Sequence, residues 1–225
     1  MSSASICSHM TIIDELTADL DWRETELALM KVFLQRQDFS PKQHEVLTRA
    51  AWSLLYSHYE GFCKFALTLY FEQIANAQKS CIVLPAKTKI FAMTKEIKRL
   101  KNLPAEDFIN SLEQFANGPI ACAPEFPDVD TKSNLWPNVL EELLEYADIE
   151  CPAVDHNRQL LKSLVTSRNG IAHGEKIFEE IKKYQVMENA VYQVLYELAF
   201  AIETRLQNKP FKAEDDAQGC LFDFL

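Results

Sequence analysis

Residues 41–76 read PKQHEVLTRAAWSLLYSHYEGFCKFALTLYFEQIAN, and this run decides the fold class. Apolar side chains fall at Val46, Leu47, Ala50 and Leu54, continue through Tyr56 and Phe62, and end on Phe65, Leu69 and Phe71. Recurrence at threes and fours over so many turns is the 3.6-residue period of a helix, and the wide apolar arc predicts burial on most sides. Ser40 before Pro41 marks the start, because a proline in the first helical turn has no N–H to lose. This helix is expected to be the centre of the molecule and its most buried element.

Working outward, the same period governs the rest of the chain. From Thr11 to Gln37, Ile12, Leu16, Leu20, Leu27, Met30 and Leu34 form one apolar stripe, with Thr11 as N-cap. Downstream, Pro104 opens a short helix that ends near Asn117-Gly118-Pro119. Residues 117–134 hold Pro119, Pro124 and Pro127 and are too long and irregular for a simple turn, so a lid, a binding loop or an ordered insertion is expected there. Pro137 restarts a helix to Asp148, Pro152 another to about Ala172, and a last one runs from about Lys176 to Leu206. No strand-like alternation and no internal repeat is visible. The expected architecture is an all-α antiparallel helical bundle with an irregular proline-rich insertion, in one domain spanning residues 1–225. Residues 1–10 read as a disordered start rather than a signal peptide, since they have neither a basic nor an apolar region. The tail from Lys209 ends in Leu221-Phe222-Asp223-Phe224-Leu225, an apolar pentamer expected to dock on the core or on a partner.

Composition narrows the function. Of 225 residues 48 % are apolar and 25 % charged, the profile of a core-forming globular chain, and no stretch approaches the roughly 18 uncharged residues of a membrane span. A formal charge of −10 gives no general attraction to nucleic acid or to an anionic membrane. The exception is the segment from Lys87 to Lys101, where six basic side chains face Glu96 alone. Lys95, Lys98, Arg99 and Lys101 are the candidate RNA-binding residues there, and a solvated helix face is the competing reading. The six cysteines lie far apart with no Cys-x-x-Cys pair and no zinc-like spacing, so neither metal nor cofactor is expected. Buried, reduced thiols in a cytoplasmic protein fit this usage best.

One short stretch concentrates chemistry: Ser167-Arg168-Asn169-Gly170-Ile171-Ala172-His173-Gly174-Glu175. A cation, a carboxamide and an imidazole fall within six positions, beside two glycines. On an ideal helix the five steps from Arg168 to His173 leave their side chains about 140° apart. Either Gly170 loosens the helix and Gly174 caps it so that the two converge, or two copies of the motif face each other across a two-fold axis. Without such convergence, Arg168 reads as an interhelical salt-bridge partner and His173 as a capping residue. His58 lies two residues before Glu60 and points elsewhere on its helix, while His44 and His156 read as surface residues.

The string Arg168-Asn169-Gly170-Ile171-Ala172-His173-Gly174 resembles the Arg-polar-x-x-x-His motif of the HEPN superfamily. Two further segments resemble its MAE-type and RiboL-PSP-like branch: Trp52 to Phe62, with its aromatic-Glu-Gly-aromatic core, and Asn134-Leu135-Trp136-Pro137-Asn138-Val139-Leu140. The likeness runs over most of residues 11–208. It implies a metal-independent endoribonuclease, often a toxin or defence component, active as a homodimer with two motifs in one cleft. On this resemblance Arg168 and His173 are the catalytic pair, Asn169 the polar neighbour, and Glu60 a supporting group on the central helix. An antitoxin or other protein partner is implied as well. In some relatives a tyrosine two positions after the histidine is the target of an antitoxin; here that position is Glu175, which puts control by that route in doubt. The alternative is a catalytically inactive HEPN-like module that binds a protein partner or a nucleotide.

Overall fold

A computed structural model describes residues 11–176 and 181–211. Residues 1–10 and 212–225 lie outside the described residues, and with them the expectations for the first ten residues and the apolar pentamer. Among the described residues all regular structure is helical, in nine α-helices: α1 (Ile12–Leu34), α2 (Pro41–Ala77), α3 (Ala86–Ala92), α4 (Thr94–Lys101), α5 (Ala105–Asn117), α6 (Pro137–Ala147), α7 (Pro152–His156), α8 (Arg158–Ala172) and α9 (Ile181–Leu206).

The helices begin where local chemistry says they must. Thr11 and Asp14 form a capping box on α1, and Ser40 and Gln43 form another on α2 with Pro41 in its first turn. α1 folds back on α2 through the short connection at 35–40, and α8 and α9 close the bundle around α2. The interior of α2 is aromatic: Trp52, Tyr56, Tyr59, Phe62 and Tyr70 are sealed from solvent. Val46 departs from the expected arc and is exposed.

Arg23 of α1 is buried over α2, its Nε 2.6 Å from Asp19 Oδ2, and a side chain at Gly61 would place its Cβ 2.9 Å from Arg23 Nη1. Gly61 is therefore the gap in α2 that admits an arginine. His58 lies beside it, with Nε2 2.8 Å from Glu26 Oε2 and its ring edge-on to Trp22. Further along α1, Lys31 Nζ reaches the buried Glu188 of α9 at 2.6 Å.

Two sequence expectations change here. The helix expected from Pro152 to Ala172 is two, because Asn157 turns its side-chain amide onto the Ala153 carbonyl and Gln193 Oε1, both at 3.0 Å, and so competes with the helical backbone pattern. His44 is half-buried against Phe39 instead of lying on the surface, whereas His156 is exposed. Of the forms expected for the proline-rich connection, the structure has the ordered insertion: the Cys81 N–H donates to the Cys122 carbonyl at 2.9 Å, Phe126 packs tilted against Phe71, and Val129 is buried. Its last residues deliver the chain to Asn134, directly above α2.

Candidate functional site

Arg168 projects from the last turns of α8, half-buried, toward the middle of α2. Its guanidinium carbon lies 4.5 Å from the centre of the Tyr56 ring, a cation–π stack. Its Nη1 donates to Asn134 Oδ1 at 2.8 Å and to Asn169 Oδ1 at 3.0 Å. Arginine can only donate, so both carboxamides must turn their oxygens toward it. Among the described residues Arg168 makes no ion pair, which removes the interhelical salt bridge as an account of this residue. Its neighbours fix its direction without cancelling its charge.

The platform beneath it is built by α2. The Tyr56 hydroxyl accepts the Leu135 N–H at 2.9 Å, which ties the segment after the insertion to the central helix. Burial pushes that hydroxyl up to about 12, against the lowering effect of the Leu135 N–H, so it stays protonated with the Glu60 carboxylate beside it. Glu60 is one turn on from Tyr56 and half-buried.

His173 lies five residues beyond Arg168, where the helix ends. It is the C-cap of α8, its backbone N–H bound to the Asn169 carbonyl at 2.9 Å. Gly174 follows with φ +83°, its N–H reaching the Ile171 carbonyl and the Glu175 N–H reaching the Gly170 carbonyl, the paired bonds of a Schellman ending. The helix thus runs unbroken through Gly170 and stops at Gly174, so the loosening expected at Gly170 does not occur. The imidazole is exposed, and no hydrogen bond links it to Arg168 within one chain.

The basic segment stands apart. Lys95, Lys98, Arg99 and Lys101 are exposed on α4, which packs against α3 and α5. Arg99 pairs with Glu96 at 2.8 Å, and of the neighbouring cations Lys87 pairs with Glu145 at 3.0 Å. A cavity of about 870 Å³ lies between α6 and α9 and is lined in part by Leu144, Pro152, Phe200 and Arg205, without Arg168 or His173. Among the described residues no three His, Cys, Asp or Glu side chains are placed to hold a metal ion, and no helix is long and apolar enough to cross a membrane.

The family described as MAE_28990-like HEPN matches residues 12–211, nearly the whole of the bundle. The chain is a HEPN-family protein. No curated protein and no solved structure matches it. The all-α HEPN-like bundle follows from both the match and the helices. Within this HEPN chain, Asn134 and Tyr56 are the contacts of Arg168 that sequence reasoning did not assign. Asn134 stood inside a string that carried the resemblance, but nothing local ties it to a side chain 34 positions away.

Proposed function

We propose that this HEPN protein is a metal-independent endoribonuclease, acting as a homodimer in a toxin or defence system in the cytoplasm. The observation that carries the reading is Arg168: a half-buried guanidinium oriented by two neutral oxygens and an aromatic face, with its charge left for an anion. A phosphodiester is the anion that the family's chemistry supplies.

RNA brings its own nucleophile, so the protein's task is to orient and to move protons. Arg168 binds the non-bridging phosphate oxygens and balances the charge that grows on the phosphorane. Asn169, whose oxygen is spent on Arg168, keeps its amide N–H donors for a phosphate oxygen. His173 of one copy takes the 2′-hydroxyl proton as O2′ attacks phosphorus. His173 of the second copy protonates the 5′-oxygen as the P–O5′ bond breaks, leaving a 2′,3′-cyclic phosphate. Two copies are required because within one chain the imidazole lies at the helix end without a bond to Arg168. The exposed Lys95, Lys98, Arg99 and Lys101 of α4 are a separate surface for a longer RNA strand, and the dimer answers to an antitoxin or other protein partner.

The test is digestion of a labelled RNA in a chelator by the wild-type protein beside His173→Ala and Arg168→Ala. The expected result is cutting by the wild type alone, with cyclic phosphate ends, abolished by deoxyribose at the scissile position. Equal residual cutting by all three, or persistent cutting at the deoxyribose, overturns it. A second reading, a non-catalytic module that binds a protein partner, is favoured by the apolar side chains that α1 leaves exposed, Trp22, Leu29, Val32 and Phe33. Absence of any cutting by the purified dimer selects it.

A further inference from the structure

Arg168 has five N–H bonds, and two of them are accounted for. Nη1 gives one hydrogen to Asn134 Oδ1 and one to Asn169 Oδ1. The Tyr56 ring covers one face of the guanidinium. What remains is the edge formed by Nε–H and Nη2–H, whose parallel donors match two oxygens of one phosphate. Asn169 is adjacent in sequence and moves with Arg168. Asn134 does not: it comes from a different part of the chain and, together with the Tyr56 ring, fixes the guanidinium relative to the rest of the protein.

Asn134 is itself held on both sides. Its N–H donates to the Thr131 carbonyl at 3.1 Å and its carbonyl accepts the Trp136 N–H at 2.9 Å. The next residue, Leu135, is fully buried and tied to Tyr56. The two residues before it, Lys132 and Ser133, have φ of 52° and 69°, a left-handed pair that L side chains adopt only at a cost. Local bonds support this turn, from the Lys132 N–H to Asp130 Oδ1 and from Lys132 Nζ to Glu142, and its conformation delivers a carboxamide oxygen to Arg168.

We infer that Asn134 is a positioning residue, which locks Nη1 so that Arg168 presents its Nε/Nη2 edge to a single phosphodiester in a two-point grip. This rests on the ribonuclease reading for its ligand, though not for its geometry. A carboxylate at 134 would also orient Arg168, but it would neutralise the charge that the phosphate needs; a carboxamide orients and leaves the charge intact.

The experiment compares Asn134→Leu, which keeps the branching and loses the acceptor, with Asn134→Asp, which keeps an acceptor and adds a charge. Readouts are kcat and KM on a cleavable RNA, Kd for the same RNA with 2′-deoxyribose at the scissile position, and thermal stability. Expected for Asn134→Leu is a loss of about 10- to 100-fold in kcat/KM, the usual size for removing the group that orients a working residue, with Tm unchanged. Its effect on the deoxy-RNA Kd should vanish in an Arg168→Ala background, where there is nothing left to orient. Asn134→Asp is expected to recover kcat and to raise KM and the deoxy-RNA Kd. Equal loss of activity and Tm in both variants, unchanged activity in Asn134→Leu, or an undiminished effect in the Arg168→Ala background overturns the inference. If the wild type cuts no RNA, the ribonuclease reading fails and the guanidinium geometry is decided by NMR, with Arg168 assigned by loss of its signals in Arg168→Lys. Resolved Nη–H signals in the wild type that coalesce in Asn134→Leu sustain the lock; averaged signals in both overturn it.

Discussion

Tyr56 and Tyr59 lie three residues apart on α2, both fully buried and edge-to-face at 6.3 Å, and the same chemical change at the two positions is expected to move stability in opposite directions. Tyr56→Phe removes the acceptor of the Leu135 N–H, a 2.9 Å bond inside the protein. The donor is left without a partner in a site closed to water, which costs about 1–3 kcal/mol. For a bundle of this size a loss of about 2 kcal/mol lowers Tm by roughly 4–8 °C. Tyr59→Phe removes a hydroxyl that is buried with no hydrogen-bond partner. Its loss relieves an unpaired polar group, so Tm is expected to stay level or rise. The two rings keep their packing in both variants, which leaves the hydroxyl as the variable. Thermal melts and urea unfolding of the two variants give the comparison, with a shifted midpoint at constant slope as the mark of an intact fold. A Tyr56→Phe protein as stable as the wild type, or a Tyr59→Phe protein that loses as much as Tyr56→Phe, refutes the hydrogen-bond assignment that ties residues 134–135 to α2.

Gly174→Ala places a side chain on a left-handed backbone at φ +83° and is expected to cost about 1–2 kcal/mol, with Gly174→Asn milder; equal melting of Ala variant and wild type contradicts a Schellman ending after His173. Lys31→Met strands the buried Glu188 carboxylate and is expected to destabilise by roughly 3 kcal/mol, the low end for a broken buried pair because Lys31 is partly exposed; adding Glu188→Gln should recover most of it, and a double variant as unstable as the single one contradicts the pairing. Burial lowers the His58 pKa, with nearby Arg23 adding to the effect and Glu26 opposing it. The unfolded chain then takes up a proton at higher pH than the folded one, so stability falls as pH drops below about 6.5 and levels off once the folded group also titrates. His58→Gln should flatten that fall; a variant whose Tm declines between pH 7.5 and 5.5 as steeply as the wild type shows that His58 is not its source.

Much of the fold is legible because it is local. Capping at Thr11 and at Ser40-Pro41, the restart at Pro137 and the stop at Gly174 all depend on residues within one turn of one another, where side chain and backbone meet whatever the rest of the chain does. The 3.6-residue period identifies α2 as the central helix for the same reason. The break at Asn157 is not legible: it turns on a hydrogen bond to Gln193, 36 residues away, that only packing against α9 supplies.

The candidate site divides along the same line. Sequence alone marks Arg168, Asn169 and His173 as a motif, and Gly61 as a glycine next to Glu60. Only the tertiary structure decides what they touch. Gly61 is open because Arg23 from another helix lies across it, and Arg168 points where it does because Asn134 and Tyr56 arrive from two other parts of the chain. Helical periodicity says which face of a helix is apolar, but a single guanidinium can meet many partners at equal local cost. The choice among them is made by whichever oxygens and rings the packed bundle brings within 3 to 5 Å, and that distance is a property of the assembled helices rather than of any one segment.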